Sequence, residues 1–185
     1  MIQLSALLWG MAFLFGYIGF ARGWNKEVIS LSGIILALFA LFQFDDLLRG
    51  TLLTNLPGDQ IFWVQSAIFG LIVFFAYQTR ALIGSDAVKA RTGDRDAGRD
   101  QLQTNILGAV MGFLNGYLIW GTLWYFMHIN NYPLAPFITR PAVGSPSEIT
   151  INQLPLFVLA GGPTGNGDLL AMCVIVLFLI VLIVI

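Results

Sequence analysis

Few residues in this chain have types and spacing that could do chemistry. Arg22 and Glu27 flank a glycine in the run Arg22-Gly23-Trp24-Asn25-Lys26-Glu27. Gly23 can take the left-handed conformation that ends a helix. Arg22 can then bond the last carbonyls and lipid phosphates, while Glu27 suits the positive end of the next helix. That makes a tight hairpin; the sharper alternative is an Arg22–Glu27 gate or partner-docking pair. His128 is the single histidine, beside Trp124, Tyr125 and Phe126. It reads as a polar tip at the headgroup level, with axial ligation of a haem or chlorin metal as the alternative. Asp45, Asp46 and Asp59 could offer oxygens to a divalent cation, but they read as solvated loop charges. Gly161-Gly-Pro-Thr-Gly165-Asn-Gly167 has the outline of a phosphate loop without its lysine, and Pro163 removes a donor, so it reads as a turn. No nucleophile–base pair is evident, and an enzyme is not expected.

The elements that must position these residues are five apolar runs: Ile2–Phe20, Val28–Phe44, Ile61–Tyr77, Ile106–Ile129 and Leu169–Ile185. None contains Asp, Glu, Lys or Arg, and about 20 such residues cross a 30 Å hydrocarbon core. The runs therefore read as membrane helices lacking the deep ionisable group that most pumps use. The chain is 57% hydrophobic and 10% charged, against about 25% charged for soluble domains. A net charge of −1 gives no case for nucleic acid. One cysteine, Cys173, allows no intrachain disulfide. The N-terminus has no basic segment of a cleaved signal.

Basic residues set the expected orientation. The first connection, 21–27, holds Arg22 and Lys26, and the third, 78–105, holds Arg80, Lys89, Arg91, Arg95 and Arg99. The second, 45–60, and fourth, 130–168, hold only Arg49 and Arg140. The positive-inside rule then puts the N-terminus outside and the C-terminus in the cytoplasm. Trp24 and Tyr77 fall at the inner interface, and Trp63, Trp124 and Tyr125 at the outer one. Residues 86–100 interleave four charges of each sign and read as a solvated linker. The fourth connection carries six prolines and is the candidate partner contact on the outer face. Within it, 154–160 is too short to cross and is expected at the interface or re-entering against protein. The fifth run has no glycine for close packing and is placed at the bundle edge, with Asp168 capping its start.

Glycines organise the fourth run. Gly108, Gly112 and Gly116 share one helix face and admit a neighbouring backbone. Ser66 with Gly70, and Ala12 with Gly16, are smaller versions. Asn115 beside that face is expected to bond another helix. With Gln65, Ser66 and Gln43 it is also a candidate polar lining.

The Arg22-Gly23 turn with Glu27, the Gly33 in the second run, and the Gly108-xxx-Gly112-xxx-Gly116 repeat together resemble the colicin V production protein (CvpA) family, over about residues 2–127. The resemblance implies a small multi-pass protein of the bacterial cytoplasmic membrane with four core helices and no established biochemical activity. Members have been tied to colicin export and envelope homeostasis. A polar pair that often includes a basic residue precedes the first glycine in the family; here it is Thr104-Asn105.

The expected fold is all-α, a polytopic membrane bundle of four core helices in 1–129, a Pro-rich outer loop at 130–168, and a peripheral helix at 169–185. The expected function is that of a non-enzymatic accessory or scaffold subunit packed against a larger membrane complex, photosynthetic or respiratory. The alternative is a small channel or export factor for a solute or peptide. Partners would be membrane lipids and other membrane subunits. No cofactor is expected, with lipid or pigment contact open.

Overall fold

The computed structural model describes residues 3–78, 97–162 and 165–184, and all regular elements among them are helical. In chain order these are α1 (Leu4–Arg22), α2 (Trp24–Gln43), a short α3 (Asp45–Leu47) that runs into a π-helical stretch (Leu48–Leu52), α4 (Gly58–Gln78), α5 (Ala97–Ile129), α6 (Pro146–Ile151), α7 (Pro155–Ala160) and α8 (Asp168–Val184). Four helices, α1, α2, α4 and α5, are long and apolar enough to cross a membrane. The protein is a multi-pass helical membrane protein. At about 1.5 Å per residue, α8 spans only about 25 Å, and it packs against α2 and α7 with Leu170 buried. Leu169, Met172, Ile175 and Phe178 stay exposed.

The main axis of the bundle is the antiparallel pair α1–α5. A Cβ on Gly112 would stand 2.8 Å from the Gly19 Cα, and one on Gly116 would stand 2.7 Å from the Phe15 Cβ and 2.9 Å from the Ala12 Cα. Such backbones can touch only because the facing residues are this small. Gly108 likewise meets Gly19 and Gly23, and Gly16 meets Ala109 and Phe113. Gly70 does not belong to this set. It is exposed, with nothing within 4 Å of its would-be Cβ, so it packs against no helix among the described residues. Its companion Ser66 lies beside an apolar groove with Leu8, Trp63 and Trp120, its hydroxyl without a partner among the described residues. The close approach of α2 to α4 is made instead at Gly33, where Ala76 sits 2.5 Å from the would-be Cβ.

Three connections differ from expectation. The first is a single residue, Gly23, which takes φ 82° and ψ 163° rather than the expected left-handed helical conformation; this extended positive-φ backbone, open to glycine, lets α2 begin at Trp24. The third is shorter than expected, since α5 starts at Ala97; the part at 79–96, with Asp86, Lys89, Arg91, Asp94, Arg95 and Asp96, lies outside the described residues. The fourth is folded against the bundle. Ser145 caps α6 by accepting from the Glu148 N–H, Leu154 is fully buried, and Pro155 seats on Gly121 of α5. The Tyr117 hydroxyl donates to the Gln153 carbonyl, and the Ser5 hydroxyl meets that of Ser147 at 3.1 Å. The 154–160 segment thus turns back along α5 within this same chain. At α8 the capping oxygen is not Asp168's own. Asn166 Oδ1 accepts from the Asp168 N–H at 3.3 Å, and Asp168 is the first helical residue.

Candidate functional site

Two polar clusters lie at opposite ends of the bundle. The first grows from the one-residue turn at Gly23. Because α2 begins at Trp24, Glu27 falls one turn inside it, and its side chain is 1% exposed. Arg22, the last residue of α1, donates to Glu27 Oε1 at 2.5 Å. Asn115 Nδ2 donates to Glu27 Oε2 at 2.7 Å and to its main-chain carbonyl at 3.1 Å. The Tyr77 hydroxyl donates to the same Oε2 at 3.4 Å. Arg22 also donates to the Tyr77 carbonyl at 3.2 Å, and its guanidinium lies 4.4 Å from the centre of the Tyr77 ring. One carboxylate thus ties together α1, α2, α4 and α5.

The cluster sits at the Gly23 end of the bundle, in the first turn of α2 and beside the last residues of α1 and α4. Glu27 is nonetheless buried among the helices there. The apolar runs contain no charge, but the tight turn carries Glu27 inward from the end of one. A buried carboxylate is tolerable when paired and hydrogen-bonded, as both of its oxygens are. Asn115, fully buried, makes the interhelical hydrogen bond expected of it, and its Oδ1 accepts from no described residue.

The second cluster sits at the other end. Arg49 donates from Nε to Asp45 Oδ1 at 3.0 Å, from Nη2 to Gln65 Oε1 at 3.0 Å, and from Nη1 to Asn130 Oδ1 at 3.3 Å. Gln65 Nε2 donates to Asp45 Oδ1 at 2.9 Å, and Asn130 Nδ2 donates to Gln65 Oε1 at 3.1 Å. Gln65, read as a candidate lining, is instead a buried link in this network. Asp45 is a bonded member rather than a free loop charge. Gln43, the third candidate lining, is exposed at the end of α2 and is not deep in the bundle, because the helix terminates there. Among the described residues, no group of three or more His, Cys, Asp or Glu converges as a metal site.

Beside this cluster the chain turns sharply after α5. Asn131 and Tyr132 both have positive φ, 58° and 56°, a conformation that a bulky side chain adopts only when its surroundings hold it. Tyr132 is 4% exposed. Its hydroxyl accepts from Trp124 Nε1 at 3.4 Å and lies 3.2 Å from His128 Nδ1. Burial pushes the Tyr132 phenol up, which keeps it neutral. His128 thus has a hydrogen-bond partner on its own helix end, and Trp124, expected at the interface, is buried in the same contact.

Between the clusters, Ile34 and Leu38 of α2, Phe69 of α4 and Phe126 of α5 are buried, with Phe69 and Phe126 edge to face at 5.9 Å. Sequence reasoning joined Arg22, Gly23 and Glu27 in one turn but did not bring Asn115 to them. It missed Tyr77 as a site residue and Asn130 and Arg49 as network members, because an amide or tyrosine at a helix end gives no periodic signal.

No curated protein and no solved structure matches the chain significantly. The family model for the colicin V production protein matches residues 4–143, from the start of α1 through all four long helices into the fourth connection. That stretch contains both polar clusters, and on this match the chain belongs to the colicin V production protein family.

Proposed function

We propose that this protein is a non-enzymatic accessory or scaffold subunit of the bacterial cytoplasmic membrane, acting by lateral contact with a larger membrane assembly. The observation that carries the reading is an aromatic ridge along α1. Trp9, Phe13 and Tyr17 recur every four residues, so they share one face, and they are 41%, 68% and 76% exposed. Trp9 stacks on Phe113 and Tyr117 of α5, which stiffens the ridge. Glu27, Asn115, Gln65 and Asn130, by contrast, are buried and hydrogen-bonded within the chain. A rigid aromatic edge suits a partner helix, or a flat pigment or quinone carried by a partner. Orientation is proposed from the basic residues, with the N-terminus outside and the C-terminus in the cytoplasm. The family's tie to colicin V production is then read as support of an export or envelope assembly.

Purification in mild detergent tests this, with mass spectrometry and a visible absorption spectrum as readouts. Stoichiometric membrane subunits should co-purify and should be lost in a Phe13→Ala, Tyr17→Ala double variant that keeps its thermal midpoint. A lone homo-oligomer with a featureless spectrum would reject the reading.

A channel or export role is the second reading. It draws on Asn115 Oδ1 and Thr122 Oγ1, both fully buried on α5 and without partners among the described residues. The apolar layer of Ile34, Leu38, Phe69 and Phe126 weighs against it. Asn115→Leu should alter solute flux in liposomes if that reading holds, and unchanged flux counts against a pore there.

A further inference from the structure

A cavity of about 390 Å³ opens beside the Asp45 cluster. Its walls come from the end of α2 (Phe42, Gln43), from Asp45, from Tyr125 of α5, and from Leu156 and Asn166 of the fourth connection. Its volume lies in the range of small-molecule sites, about 300–1,000 Å³.

Two features give the cavity a sign. Asp45 is the one charged residue among the described residues of its lining, and both hydrogen bonds that Asp45 accepts from described residues fall on Oδ1, which leaves Oδ2 with acceptor capacity. A second carboxylate stands next to the lining residue Asn166, whose Nδ2 donates to Asp168 Oδ2 at 2.8 Å. Arg49, outside the lining, is engaged by Asp45, Gln65 and Asn130. The Gln43 amide and the Tyr125 phenol can each accept as well as donate, and Phe42 and Leu156 make part of the lining apolar.

We propose that this cavity binds a primary ammonium group carried on a short apolar body. An ammonium offers three donors and no acceptor, which suits three side chains able to accept, Asp45, Gln43 and Tyr125, from three elements. Asp45 supplies the charge-assisted bond, and the apolar wall takes the carbon chain. The same chemistry can come from a free amine or from an ethanolamine lipid headgroup. The site is independent of the lateral-contact reading.

The test titrates n-butylammonium into the whole protein in phosphatidylcholine nanodiscs, followed by calorimetry. Butanol and butyrate are the controls. Butylammonium should bind saturably, and the controls should not. Asp45→Asn should weaken binding roughly tenfold, the scale of one charge-assisted hydrogen bond. Tyr125→Phe, which leaves the Asp45–Arg49–Gln65 bonds untouched, should weaken it about threefold or more with an unchanged thermal midpoint. Discs that include phosphatidylethanolamine separate the two sources. A fall in butylammonium affinity assigns the site to the headgroup, and an unchanged affinity assigns it to a free amine. The proposal is overturned by absent saturation, by equal binding of butanol, or by wild-type affinity in both variants.

Discussion

The two ends of the bundle solve one problem in opposite ways. At the Gly23 end the charge itself is buried. Glu27 is 1% exposed, and its cation, Arg22, is 22% exposed. At the Asn130 end the charges stay near the surface, Arg49 at 28% and Asp45 at 39%, and neutral amides, Gln65 and Asn130, carry the bonding inward. A carboxylate inside holds four helices in register but makes each partner indispensable. Amides inside distribute the same task over bonds that are individually weaker. Glu27→Ala should therefore be the most damaging single change. It takes the counter-charge from Arg22, leaves the Tyr77 hydroxyl without its acceptor and leaves Asn115 only the main-chain carbonyl of residue 27, and loss of one partner of a buried pair costs about 3–5 kcal/mol. Unfolding in mixed micelles checks this. Removing both charges, in an Arg22→Met, Glu27→Leu double variant, should recover most of the loss, since apolar replacement of a whole buried pair is often neutral. No recovery would mean that the pair is wanted for more than its charge.

The other end should break more gently. Gln65→Leu takes away the amide that bridges Arg49, Asp45 and Asn130. The expected loss is about 1–3 kcal/mol, the cost of leaving buried partners unsatisfied. The same unfolding measurement applies. A loss equal to that of Glu27→Ala would erase the contrast between the two ends.

Asn115 comes next, because it is the neutral member of the charged cluster. Asn115→Leu should cost about 1–2 kcal/mol, as for an interhelical hydrogen bond within a membrane bundle. It removes one donor from Glu27 but leaves Arg22 and Tyr77 in place.

How far all this could be read beforehand follows from which signals repeat. The four crossing helices are legible because apolar runs of about 20 residues have few other uses. The close-packing face of α5 is legible because Gly108, Gly112 and Gly116 recur every four residues; that α1 is the helix that takes it is not. Gly33 and Gly121 make contacts as close, against Ala76 and Pro155, but each stands alone and has no spacing to betray it. Gly70 has helical company in Ser66 and yet faces open space. Small residues permit an approach without requiring one. Glu27 was legible as a turn residue and illegible as a buried one. Its burial depends on the turn being one residue long, and that is a property of the Gly23 backbone. The folding of 130–168 back onto α5 was illegible for a related reason. Its prolines forbid long helices but leave two short ones free to pack.

The smallest expected effect is the sharpest check on the comparison. Asp45→Asn removes an exposed charge while keeping an acceptor oxygen for Arg49 and Gln65. A surface pair of this kind is worth roughly 0.2–1 kcal/mol, so stability should change little. What remains of the difference should shrink as salt is raised, since charges in contact with solvent are screened and buried ones much less so. Wild type and Asp45→Asn compared at low and high salt read this directly, with Glu27→Ala as the reference whose deficit should persist in salt. A salt-independent loss of several kcal/mol for Asp45→Asn would mean that the charge at this end belongs to the interior as fully as Glu27 does at the other.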